Sequence, residues 1–220
     1  MPRPACLVAA YGLKGSTHEP FQEPHVIFAE PLKCAMHSVH LIPHPAAPCS
    51  DANHLRAQVS VLPSGALEIQ YRLNADVNNL RVPANATPRR AGHLWQHTCF
   101  EAFIAAPRSV GYFEFNFAPS GEWAMYQFDA YRAGIKAIEA PSPTITTLRM
   151  AHNLIVTAVI DLRELPNFTA HAEVRLALSA VVENSHGELF YWALAHPPGK
   201  PDFHHADGFA LTLNPLKNSA

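Results

Sequence analysis

The feature that most constrains this chain is the strict two-residue alternation between positions 112 and 128. Phe113, Phe115 and Phe117 occupy every second position, with Tyr112, Glu114 and Asn116 between them. That is the period of a β-strand with one buried face. Ala118-Pro119-Ser120-Gly121 follows as a turn, with Pro fixing φ and Gly allowing φ > 0. The alternation then resumes, Ala124, Tyr126 and Phe128 on one parity and Trp123, Met125, Gln127 and Asp129 on the other, so a hairpin is predicted. Before it, Trp95 to Ile104 reads as one further strand with Trp95, His97, Cys99, Glu101 and Phe103 on a single parity.

Glu101 and Glu114 fall in mid-strand, where a carboxylate must reach water or a partner. Flanked by Trp95, Trp123, Asn116 and Gln127, they are candidates to line a wet aromatic groove. An ordinary solvated sheet face accounts for the same pattern.

The alternation extends along the chain. Strands are predicted at 38–42, 55–62, 67–73, 77–82, 144–151, 154–162, 173–183, 189–196 and 209–213, with 133–143 as a loop or short helical turn and one helical turn in 162–168. Twenty prolines against ten glycines separate short apolar runs. The fold class expected is all-β, an antiparallel β-sandwich of jelly-roll type formed by residues 36–215. Residues 1–35 read as a poorly ordered extension and 216–220 as a tail, and the compositional change near Cys34 marks Met36 as a candidate natural start.

Composition excludes several classes of function. The net charge is −2 with 15% charged residues and no basic cluster, so nucleic acid is not an expected partner. No apolar run reaches the roughly 18 residues of a membrane span, and the segment from Ala5 to Tyr11 is short for a secretory core. The four cysteines have neither zinc-knuckle spacing nor disulfide density. Reduced thiols and a cytoplasmic location are the expectation; the oligomeric state is left open.

Among the 14 histidines, His37, His40 and His44 cannot share one face of a strand. Asp202, His204 and His205 form a denser loop group, readable as a zinc site or as hydrogen bonds fastening the loop; no metal is assigned. Ser120 lacks a GxSxG setting, and Cys99 reads as a buried inert thiol. Tryptophans bear on sugar binding, because sugars stack their apolar ring faces on aromatic rings while polar side chains take the hydroxyls.

Three segments carry a family likeness: Leu94-Trp95-Gln96-His97-Thr98-Cys99-Phe100-Glu101, then Glu114-Phe115-Asn116-Phe117-Ala118-Pro119-Ser120-Gly121-Glu122-Trp123, and Tyr191-Trp192-Ala193-Leu194-Ala195-His196 followed by Pro201-Asp202-Phe203-His204-His205. From Met36 to Leu213 the chain resembles a bacterial subgroup of DOMON-like proteins related to family 9 carbohydrate-binding modules. The resemblance implies a β-sandwich with a ligand site on or between its sheets, used elsewhere in that superfamily for sugar or haem. Trp95 with Glu101 is similar to the sugar-contacting Trp and acid, and a second stacking ring would be Trp123 or Trp192. Haem-binding relatives use Met and His ligands, for which Met125 with His97 or His196 are the candidates. The calcium sites of the modules have no DxDxDG counterpart here.

The reading is a non-catalytic domain for a carbohydrate or sugar-containing metabolite. Trp95 stacks the ring, Glu101, Glu114, Asn116 and Arg132 hydrogen-bond it, and Trp192 with His196 closes the site, with His97 and Trp123 as further contacts. The alternatives are a haem-binding electron-transfer domain, a glycoside-acting enzyme using Glu101 and Glu114, and a protein-interaction module.

Overall fold

A computed structural model describes residues 36–48, 52–138, 142–166, 168 and 173–214. The expectations for residues 1–35 and 216–220 lie outside the described residues. Twelve strands are found among the latter: β1 (Met36–Pro43), β2 (Ala52–Val61), β3 (Leu67–Ala75), β4 (Cys99–Ala105), β5 (Tyr112–Phe117), β6 (Trp123–Phe128), β7 (Lys136–Ala137), β8 (Thr144–Met150), β9 (Asn153–Ile160), β10 (Val174–Glu183), β11 (Leu189–Ala193) and β12 (Leu211–Leu213). All pair antiparallel in the order β7-β6-β5-β4-β10-β11-β1-β2-β3-β9-β8, with β12 on β10.

The join between the two halves is β1. Its residues Met36 to Leu41 pair with β2, while Ile42 and Pro43 cross to Ala193 and Trp192 of β11. The sheet thereby curls until one face of each half encloses a common core. Leu55, Val59, Leu67, Ile69, Tyr71, Leu73 and Val156 enter it from one half. Phe100, Ile104, Phe113, Phe115, Phe117, Met125, Leu176 and Leu178 enter from the other. Each buried aromatic or aliphatic side chain contributes about 1.5–3 kcal/mol, so the alternation that fixes the strands also supplies most of the driving force. The Tyr71 hydroxyl crosses between the halves and donates to the Glu101 carbonyl at 2.7 Å.

Three local expectations are corrected. Residues 77–82 form no strand, because the Asp76 carboxylate accepts from the Asn78 amide at 3.1 Å and closes a 3-10 turn over Val77–Asn79. Leu80 alone bridges, to Asn184. The strand predicted from Trp95 starts at Cys99, since His93 takes φ 58° and the Gln96 and His97 amides turn back onto the His93 and Leu94 carbonyls. The 133–143 stretch contributes the short strand β7 on Tyr126 and Gln127, with residues 139–141 outside the described residues.

Candidate functional site

The outward parity of β4, β5, β6 and β10 assembles a polar row across the sheet. Glu101 lies opposite Asn116 of β5 and Ser179 of β10, and Glu114 lies opposite Phe103 of β4 and Tyr126 of β6. This face points away from the main core, yet every residue of β4 and β5 is buried. Glu101 is 3% exposed and Glu114 6%. Both readings of this parity, a wet aromatic groove and an ordinary solvated face, put the acids in contact with water, and their burial corrects both.

Two loops cover it. Phe203 packs on Tyr191, and His204 packs on Phe103, Tyr112 and Phe128 with ring centres 5.0–5.9 Å apart. From the other side comes Arg132, held in a left-handed conformation at φ 51°. Two residues on, Gly134 at φ 66° leaves no room for a Cβ, which would strike the Asp129 carboxylate. Asp202 ties the loops together, accepting from Arg132 Nη2 at 2.7 Å, the Tyr131 hydroxyl at 2.5 Å and the His204 amide at 3.1 Å. Burial raises the Asp202 pKa, but the Tyr131 and Arg132 hydrogen bonds outweigh it, so this carboxylate stays charged to lower pH than usual.

Hydrogen bonds link the cover to the sheet beneath it. The Arg132 amide donates to the Tyr112 hydroxyl at 3.2 Å, and that hydroxyl lies 2.8 Å from His204 Nδ1. The direction of the bond between that hydroxyl and Nδ1 follows the tautomer of the imidazole. His204 Nε2 lies 3.7 Å from Glu114 Oε2. Burial, and then the Arg132 charge, depress the His204 pKa to about 4, so the ring is neutral near pH 7.

Across the row, Asn116 Nδ2 donates to Glu114 Oε1 at 2.7 Å, the Ser179 hydroxyl donates weakly to Glu101 Oε2 at 3.4 Å, and the Cys99 thiol lies 3.7 Å from Asn116 Oδ1. Burial pushes both carboxyl groups above their ordinary range, and the Glu114 charge adds to the effect on Glu101. The arrangement is a pair of buried carboxyls with raised pKa values beside an amide and a hydroxyl, with Tyr112, Tyr126 and Phe103 on the same face. Chemically it can donate to and accept from a ligand rich in hydroxyls.

Other candidates fall elsewhere. The register places Trp123 opposite Phe117 and Trp192 opposite Ala180, which turns both indoles into the main core and away from Glu114 and Asn116. Gln127, opposite Phe113, shares their side. Neither indole Nε1 has a hydrogen-bond partner among the described residues. Their expected place beside the acids is thus corrected: in a hairpin, cross-strand partners share a face.

Trp95 is 48% exposed on the 3-10 turn and meets His93 edge to face at 6.2 Å. His97 Nδ1 lies 2.8 Å from Glu183 Oε2, and Arg81 takes the other oxygen at 2.9 Å. Burial raises the Glu183 pKa, but bonds to His97 and Arg81 bring it below the usual range. His196 Nε2 bonds to the Ile42 carbonyl at 2.9 Å, its ring lies edge-on to His44 at 4.8 Å, and burial lowers its pKa. Met125 is fully buried on the core side of β6, so the haem-ligand candidates sit in three different settings. His205 pairs with Asp207 at 3.4 Å. Among the described residues no group of three or more His, Cys, Asp or Glu side chains could hold a metal ion.

Tyr112, Phe103, Tyr126 and Ser179 were not among the sequence candidates. The signal existed, since Tyr112 shares parity with Glu114 and Ser179 lies in the alternation of residues 173–183.

No family model and no curated protein matches the chain. Among solved structures it is similar to a presumed carbohydrate-binding protein of Bacteroides uniformis, at 10% identity and a TM-score of 0.58, over 79% of this chain and 83% of that one. A family 9 carbohydrate-binding module of Caldicellulosiruptor kristjanssonii aligns more distantly at 15% identity. With cellotriose bound its TM-score is 0.41 over 73% of this chain and 75% of the module, and with glucose 0.39 over 72% and 76%. The first likeness establishes a shared fold.

Proposed function

We propose that the protein binds a small carbohydrate or sugar-containing metabolite, without transforming it, on the covered face of β4, β5 and β10. The observation that carries this reading is the buried carboxyl pair. Glu101 and Glu114 are kept on a sheet face where apolar residues would be more stable, and the protein itself engages them with one short bond from Asn116 and one long bond from Ser179. A hydroxyl-rich ligand that enters when the loops clamped by Asp202 lift supplies the missing partners, and Tyr112 and Tyr126 on the same face supply aromatic surface for a sugar ring. Arg132 stands at the edge with its charge felt by both acids. The sugar-binding description of the Bacteroides protein with the same fold supports the class of ligand.

Calorimetry against a panel of mono- and oligosaccharides tests the reading. Glu101→Gln and Glu114→Gln are each expected to weaken the best sugar by about tenfold or more, the loss that follows when a carboxyl's hydrogen bonds to the ligand are no longer matched. Unchanged affinity in both variants, or no sugar bound at millimolar concentration, overturns it.

A further inference from the structure

Beyond the covering loop, where β4 ends and β10 begins, lies a cleft of about 600 Å³ lined in part by Tyr112, Tyr131, Arg175, Phe209 and Val110. Its size falls within the range of small-molecule sites, roughly 300–1,000 Å³. Aromatic rings form much of the wall, and Ala105 and Ala130 add small apolar surface. Among the described residues Arg175 is the only Arg or Lys in the lining, and no Asp or Glu joins it.

The state of Arg175 is unusual. Among the described residues it forms no ion pair, and its guanidinium has one hydrogen-bond acceptor, the Ser109 carbonyl at 2.9 Å from Nη2. Its Nε is buried without a partner. The guanidinium sits 5.6 Å over the Phe209 ring, a contact that orients the fork and leaves most of its five donors unused. An unpaired cation beside aromatic walls matches a planar anion on an apolar body, because a carboxylate takes two guanidinium donors at once.

We infer that this cleft is a second binding site, for a small carboxylate carrying an aromatic or apolar body. The carboxylate docks on Arg175, and the body lies against Tyr112, Tyr131 and Phe209. The cleft is separate from the carboxyl row, with which it shares the covering residues Tyr112 and His204.

The test titrates phenylacetate and its neutral counterpart phenylacetamide into the full chain, followed by backbone amide chemical shifts. Phenylacetate is expected to saturate with shifts confined to residues of the cleft, and phenylacetamide to bind at least about tenfold more weakly. Arg175→Met is expected to abolish the preference for the acid, while Arg175→Lys retains part of it. Because Arg175 also holds the Ser109 carbonyl, Val110→Trp serves as a second variant. That position is 79% exposed, and the indole fills the cleft without disturbing the core, so phenylacetate binding is expected to fall by about tenfold or more. Glu101→Gln is expected to leave phenylacetate affinity unchanged, which separates this site from the sugar site. Equal affinity for acid and amide, shifts outside the cleft, or unaltered binding in Val110→Trp and Arg175→Met overturns the inference.

Discussion

The two halves of the sheet carry the same kind of alternation and treat their outer faces in opposite ways. On β2 and β3 the outward residues Arg56, Gln58, Gln70 and Arg72 border a surface hollow, and both arginines are exposed. On β4 and β5 the outward residues Glu101, Glu114 and Asn116 are as buried as the core. Strand periodicity alone does not distinguish the two cases. The difference comes from residues distant in sequence, Arg132 and His204, whose loops are clamped by Asp202 over one half of the sheet. A polar face that stays wet has little energetic consequence, whereas a polar face that is covered must have every group accounted for.

Substitutions separate the two faces most sharply. Phe103 is fully buried on the covered face against His204 and Tyr112, so Phe103→Ala is expected to cost about 3–5 kcal/mol in chemical denaturation. An apparent loss below about 1 kcal/mol would mean that the loops do not seal this face.

The next effect is the pH response of the cover. The folded pKa of His204, about 4, lies below its ordinary 6.5, so the unfolded chain takes up the proton first. The stability that a neutral His204 contributes is complete above pH 6.5 and is lost as pH falls toward 4. It amounts to at most about 3 kcal/mol. The acid pair has the opposite sign: with folded pKa values above the usual 4.5, stability declines as pH rises from 4.5 through the raised values. Unfolding curves from pH 4 to 8 for the parent and His204→Gln check the first effect, which the variant is expected to lack.

A smaller effect follows from the Tyr71 hydroxyl that spans the halves. Tyr71→Phe is expected to lose about 1 kcal/mol, measured by denaturant midpoint. Smallest of all is Arg72→Ala on the wet face. Arg72 lies opposite Arg56, a like-charge pair, and the change is expected to stay within about 0.5 kcal/mol. A large loss there would erase the contrast between the faces.

Much of the fold was legible because Phe113, Phe115 and Phe117 announce a strand and its buried side without outside help. The tryptophans were harder to place. Trp123 follows a turn, and its side is set by pairing with Phe117; Trp192 is set in the same way by the turn at Asn184–Gly187, which brings it opposite Ala180. Counting residues across each turn recovers both positions. The acids Glu101 and Glu114 were visible as oddities in mid-strand, but their burial was not, because it depends on where the loops at 129–135 and 197–209 come to rest. Residues 77–79 and 95–96 failed as strands because short polar contacts and a left-handed His93 redirected the backbone locally.

On the proposed function, the carboxyl pair is kept at the expense of stability in order to bind a ligand. The most direct measurement is the melting temperature of Glu101→Gln at pH 7.5, with and without the best sugar from the panel. Removing a carboxyl whose charged form is disfavoured is expected to raise the melting temperature of the free protein, by a few degrees for about 1 kcal/mol, and to shrink the shift produced by the sugar in line with the weakened affinity. A variant that melts lower than the parent and still responds fully to sugar would contradict it.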